Sequence, residues 1–185
     1  MSAPSLIALT GYAGSGKSTV AEYLESRHGY RRIRFADPLK DMLKAGFGLT
    51  DAHVNGALKG EVLPVLGGRT PREAMQTLGT EWGRDIIHPD LWILAWRARV
   101  EASDRGVVVE DLRFVNEANV VNRYGGEIWR IKRPGTRAGE HVSEREMDNI
   151  QPRALITNDG AVDELFPLID YLLGINGPAA AQDAA

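Results

Sequence analysis

The 185-residue chain contains no cysteine. Disulfides, thiolate metal sites and a cysteine nucleophile are therefore excluded, and a reducing cytoplasm suits the composition. Long apolar runs are missing too. The densest, Leu91–Trp96, is far short of the roughly 20 residues that a membrane span requires. Met1–Ser5 is too short and too polar for a signal peptide. There is no run of basic residues and the net charge is -3, so neither a nucleic acid nor a membrane is an expected partner. The four histidines show no metal-ligand spacing. No internal repeat or linker divides the chain, and its length suits one domain with a single sizeable core.

The pattern that is present alternates between two periods. Leu6–Thr10, Ile33–Ala36, Val107–Val109, Ile128–Ile131 and Ala154–Thr157 read as short buried strands. Between them lie helical patterns: Ser18–Ser26, a helix opened by Pro38, and one opened by "TPRE" at 70–73 that runs towards Arg84. Others follow Asp90 as a cap, span Asn116–Tyr124, and span Val162–Leu173. Thr70, Pro71 and Glu73 form a capping-box signature. Residues 46–69, rich in glycine, read as a loose connection. The tail 176–185 has the composition of a disordered segment. Strand–helix alternation of this kind predicts an α/β fold with a mainly parallel, five-stranded sheet between helical layers.

One stretch carries chemistry on its face. "GYAGSGKST" at 11–19 places Gly11, Gly16, Lys17 and Ser18 in the pattern G-x-x-x-x-G-K-[ST]. Its glycines let successive backbone amides turn inward around a phosphate. The helix that follows aims its free N–H groups at the same anion. Lys17 is expected on the β and γ phosphates and Ser18 on Mg²⁺. Gly11, Ala13, Gly14, Ser15, Gly16, Lys17, Ser18 and Thr19 thus make the candidate ATP site, with Mg²⁺ as cofactor. Asp111, just past Val107–Val109, is the candidate acid that holds the metal through water. Most of the basic residues are arginine, whose planar fork suits phosphate. Arg72, Gln76 and Gly79 share one helix face, with Arg69 before the helix and Arg84 at its end. Gly79 there leaves room for a ligand beside Gln76.

Four blocks in order, "GYAGSGKST", "FADPLK", "TPREAMQTLGTEWGR" and "VVVEDLRFVNEA", the last followed by "GGEIWRIKRPG", span residues 11 to 135. In them the chain resembles the phage-type deoxynucleoside monophosphate kinases of the P-loop nucleoside monophosphate kinase superfamily. The resemblance implies a core of residues 5–45, 104–131 and 154–173, an acceptor-binding helical insertion at 46–103 and a lid at 132–153. It implies transfer of the ATP γ-phosphate to a deoxynucleoside 5′-monophosphate. Asp37, Lys40, Arg69, Arg72, Gln76, Trp82, Arg84, Arg113 and Asn116 become acceptor-site candidates. Lys17, Asp37, Arg72, Asp111, Arg130 and Arg133 become the catalytic set, the last two as lid arginines. Asn158, in "NDG", becomes a candidate beside the donor adenine. Family members often carry two aspartates where this chain has Glu110-Asp111, which leaves open the acid that serves the metal. The lid stretch matches poorly, and Arg137, His141 and Arg145 are only guesses there. A phage origin would place the protein in the host cytoplasm. A homodimer stays open. The rival readings are a P-loop kinase of another substrate class, such as dephospho-coenzyme A kinase, and a nucleotide-binding protein without catalysis.

Overall fold

The structure is a computed structural model that describes residues 4–137 and 146–175. His141, Arg145 and the tail from 176 lie outside the described residues. In chain order the elements are β1 (Leu6–Thr10), α1 (Lys17–His28), β2 (Arg31–Arg32), α2 (Asp37–Phe47), the one-turn α3 (Asp51–Val54), and α4 (Pro71–Thr77) with a π-helical continuation over Leu78–Ile87. After them come α5 (Leu91–Glu101), β3 (Val107–Val109), α6 (Val115–Arg123), β4 (Glu127–Lys132), β5 (Ala154–Thr157) and α7 (Val162–Leu172). Among the described residues no helix is long and apolar enough to cross a membrane. Two compact units result: residues up to Arg32 together with those from Ser103 onwards, and Ile33–Ala102.

The first unit holds the whole sheet. All neighbouring strands are parallel, in the order β2-β3-β1-β4-β5. A parallel sheet needs cover on both faces, and the period of two along each strand assigns residues to each cover. Ile7, Leu9, Val108, Trp129, Ile131 and Ile156 pack with Val20, Ala21 and Leu24 of α1 and with Leu165 and Ile169 of α7. On β1, Leu6 faces the other way, towards Val121 of α6 and Gly126. Each fully buried aliphatic side chain contributes roughly 1.5–3 kcal/mol, so this interior dominates the unit's stability. Tyr23 of α1 stacks on Phe166 of α7 at 4.0 Å. Its hydroxyl donates to Asp170, which also bonds His28 at 2.9 Å.

In the second unit, Leu39, Leu43, Leu49, Val54 and Trp92 form a separate apolar centre, with Leu63, Leu66, Met75 and Leu78 packed against it. The predicted capping box is present: Thr70 Oγ1 accepts from Glu73 N at 3.2 Å, and Glu73 Oε2 accepts from Thr70 N at 2.8 Å. Trp96 Nε1 donates to the Ile33 carbonyl at 3.0 Å, and Trp96 lies 4.6 Å from Phe35.

Three expectations change. The second strand is Arg31–Arg32, and Ile33 and Phe35 are buried without strand pairing. Their alternating apolar character serves the tryptophan cluster of the second unit. Residues 46–69 contain α3 and two 3₁₀ turns, Ala57–Gly60 and Pro64–Leu66, in place of a structureless connection. Asp90 makes no side-chain cap to α5.

Candidate active site

The carboxyl ends of parallel strands are where α/β proteins gather ligands, and β1 runs directly into the glycine loop. Gly11, Gly14 and Gly16 have φ of 140°, 77° and 106°. A Cβ on Gly11 would lie 2.2 Å from the Ile131 carbonyl oxygen, and one on Gly16 only 2.4 Å from Asn158 Nδ2. Only glycine fits at either position. Ser15 N donates to the Tyr12 carbonyl at 3.2 Å, which closes the turn. Lys17 opens α1 and folds back, its Nζ donating to the carbonyls of Gly11 at 2.6 Å and Tyr12 at 2.8 Å. An ammonium is thus held over the mouth of the loop. Ser18 is exposed on the first turn of α1, and Ser15 is buried.

The acidic pair after β3 divides by environment. Glu110 is buried, and its Oε1 accepts from Arg32 Nη2 at 2.5 Å. Arg32 also lies 3.7 Å from Glu25 of α1. Asp111, the next residue, is half-buried. Further on, Glu117 is fully buried, and its Oε2 accepts from the backbone N–H of Arg113 at 2.9 Å and of Phe114 at 3.1 Å. That carboxylate holds the loop carrying Asp111 and Arg113 and satisfies free donors at the start of α6. Asn116, beside it, accepts from Glu117 N at 3.0 Å.

Arg130, on β4, is turned onto the backbone of the turn at 147–150. Its Nη2 donates to the carbonyls of Met147 and, at 2.8 Å, Ile150. Arg133 is exposed, and its carbonyl accepts from Thr136 Oγ1 at 2.7 Å. Arg137 is exposed as well. Tyr12 of the glycine loop donates to Asp148 at 2.7 Å. Asn158 is buried, and its Nδ2 donates to the Ser15 carbonyl at 2.8 Å. One N–H of its side-chain amide thus engages the loop's backbone.

In the second unit, Asp37 and Lys40 lie on the first turn of α2. Asp37 Oδ2 accepts from Arg34 N at 2.8 Å, so part of this carboxylate shapes the turn that enters the helix. Arg72 is exposed on the first turn of α4, with Gln76 half-buried one turn later. Arg69 pairs with Glu73 at 3.2 Å, and Arg84 Nη1 donates to the Pro89 carbonyl at 3.2 Å. Gly79 and Gly83 both lie beside Trp92. The Gly79 carbonyl accepts from Trp92 Nε1 at 2.7 Å, and a Cβ on Gly83 would lie 2.6 Å from that nitrogen. Gly83 thus makes room for the Trp92 ring, whereas a Cβ on Gly79 would meet Leu39 Cδ2 at 3.5 Å, an ordinary contact. Trp82 is partly exposed, 6.3 Å from Trp92.

The sequence profile of deoxynucleotide monophosphate kinase matches residues 69–169. The chain belongs to the deoxynucleotide monophosphate kinase family. A protein of Acanthamoeba polyphaga mimivirus, whose name assigns it provisionally to the deoxynucleotide monophosphate kinases, is 33% identical over 180 residues, covering 89% of this chain and 93% of its own. The deoxynucleotide monophosphate kinase of Enterobacteria phage T4 is 21% identical, with 92% of this chain and 99% of its own covered. The crystal structure of Aquifex aeolicus shikimate kinase shares the fold, with a TM-score of 0.55 at 14% identity over 91% of this chain and 96% of that one. The P-loop kinase fold is thus established for this family member. The stretch matched by the kinase profile spans α4, the Glu110-Asp111 pair, Glu117, Arg130 and Asn158. Two side chains of this kinase escaped sequence reasoning. Arg32 was hidden because its partner Glu110 lies 78 residues away. Glu117 was hidden because its capping position does not follow a Ser or Thr. The one available signal was a glutamate three residues after Phe114 at the head of a helix.

Proposed function

We propose that this chain transfers the γ-phosphoryl group of ATP to a deoxynucleoside 5′-monophosphate, yielding a deoxynucleoside diphosphate for nucleotide synthesis. One observation carries the reading: a glycine loop with the Lys17 ammonium over its mouth, in a member of this kinase family.

An oxygen of the acceptor phosphate attacks the γ-phosphorus. That O–P bond forms while the bond to the β–γ bridging oxygen breaks, and ADP leaves with the electron pair. The acceptor phosphate is largely ionised near neutral pH, so no protein nucleophile or strong base is required. What the protein supplies is position and charge. The α1 amides and Lys17 offset negative charge on the β and γ phosphates. Lys17 releases the Gly11 and Tyr12 carbonyls and transfers its donors to phosphate oxygens. The acceptor is held in the second unit by α2 and α4, with Arg72 on its phosphate and Gln76 on its base or sugar. Asp37, Lys40, Arg69, Trp82 and Arg84 complete that pocket. Arg113, Asn116 and Arg133 serve the phosphates from the first unit. Arg130 acts by holding the Met147–Ile150 turn.

Mg²⁺ fits the donor set, since the Ser18 hydroxyl and the Asp111 carboxylate are hard oxygen donors. When bound, it neutralises charge on the β- and γ-phosphate oxygens. The pairing of Glu110 with Arg32 supports Asp111 as the acid that serves it. The protein is read as cytoplasmic, of a phage or its host.

The two substrate assignments separate kinetically. Lys17→Ala removes a preorganised donor and should lower kcat by about 10²-fold or more. Arg72→Ala should cut kcat/KM for the monophosphate by about 10- to 100-fold, the worth of a hydrogen bond to a charged group. In Arg72→Ala the KM for ATP should hold. An unchanged kcat/KM for the monophosphate sinks the acceptor assignment, and full activity in Lys17→Ala sinks the donor assignment.

A further inference from the structure

Resting on the kinase reading, we infer that Asn158 is a positioning residue that sets the direction of the Gly16 N–H in the triphosphate cradle, rather than a contact to the donor base. Three observations meet at this side chain. Asn158 is nine-tenths buried, and its Nδ2 donates to the Ser15 carbonyl oxygen at 2.8 Å. Its own backbone N–H donates to the Lys132 carbonyl at 2.7 Å, and Lys132 and Thr157 are register partners in β4 and β5. Its position is therefore set by the end of the sheet. Finally, Gly16 approaches so closely that a Cβ there would stand 2.4 Å from Nδ2, with φ of 106°.

The consequence follows from peptide geometry. In a planar trans peptide the carbonyl and the N–H point in opposite directions. Asn158 draws the Ser15 carbonyl outward, so the N–H of the same peptide, that of Gly16, faces the inside of the loop. Glycine populates both signs of φ, so this hydrogen bond narrows the orientations open to the Ser15–Gly16 peptide. A preorganised donor binds a phosphate oxygen without first reorganising. This bond engages one N–H of the Asn158 amide, and the residue is buried.

The effect should track the phosphates and not the base. Binding of ATP with Mg²⁺ and of inorganic tripolyphosphate with Mg²⁺ is measured by calorimetry on the full chain and on Asn158→Ala and Asn158→Asp. The aspartate keeps the volume, so the comparison stands if the alanine variant does not fold. Both ligands should bind about tenfold more weakly in the variants, by equal factors. In the wild-type protein the Gly16 amide resonance should shift on adding tripolyphosphate. Weakening of ATP alone would mark a base contact and overturn the inference. Unchanged tripolyphosphate affinity, or an unmoved Gly16 resonance, would overturn it as well. No acceptor enters these readouts, so failure of the kinase reading and failure of this inference are separate results.

Discussion

Glu110 and Asp111 are neighbours in sequence with opposite environments. Glu110 is buried against Arg32, with side-chain exposures of 8% and 20%. Removing one partner of a buried pair leaves a charge without compensation, which costs more than the pair contributes. Arg32→Ala should therefore destabilise the protein by about 3 kcal/mol, read as a lower urea midpoint. A loss below about 1 kcal/mol would mean that the pair behaves like a surface ion pair. Residues whose role depends on local spacing were open to sequence reading: Gly11, Gly16, Lys17 and Ser18 form one motif because the loop brings near neighbours together. Residues whose role depends on distant partners were not. Asn158 meets Ser15 across 143 positions, and no local pattern states that.

At the scale of elements, periodicity and caps located β1, β3, β5, α1 and α4 well. The Thr70–Glu73 box was readable because both partners lie within one turn. Hydrogen bonds from the Thr70 N–H and hydroxyl, with help from Arg69, hold the Glu73 carboxyl below its ordinary pKa. A carboxyl lowered in the folded state stabilises fully above its unfolded pKa and loses that contribution as pH falls through the folded value. Glu73→Gln should thus flatten the loss of thermal stability on acidification below the ordinary carboxylate range. An acid limb of unchanged steepness would contradict this. The second strand was misplaced because Ile33–Ala36 has the apolar character of a strand, while tertiary packing directs Ile33 and Phe35 to the second unit. The π-helical turn over Leu78–Ile87 was also beyond sequence reading, since nothing in helix periodicity marks the notch that Trp92 fills. Glycines there and in α2 give an opposed pair of predictions. A methyl added at Gly46, in α2, would meet no atom within 4 Å, so Gly46→Ala should stabilise by about 0.5–1 kcal/mol. Gly83→Ala meets the Trp92 ring at 2.6 Å and should cost about 1–3 kcal/mol, which exceeds its gain in helix propensity. Thermal melts of the two variants should move in opposite directions. Shifts of the same sign would contradict the packing account of Gly83.

For the whole molecule, the sheet unit carries the glycine loop, Asp111 and Asn158, and the helical unit carries α2 and α4. Under the proposed function the donor nucleotide belongs to the first and the acceptor to the second. Belonging to the deoxynucleotide monophosphate kinase family names a reaction class, and under the proposed function the accepted base is set around Gln76 and Trp82. The most direct measurement is ADP release by the wild-type chain with ATP and Mg²⁺, against dAMP, dGMP, dCMP, dTMP, their ribose counterparts and dephospho-coenzyme A. The account predicts turnover with at least one deoxynucleoside monophosphate. Turnover with dephospho-coenzyme A alone, or ATP binding with no turnover on any acceptor, would contradict it.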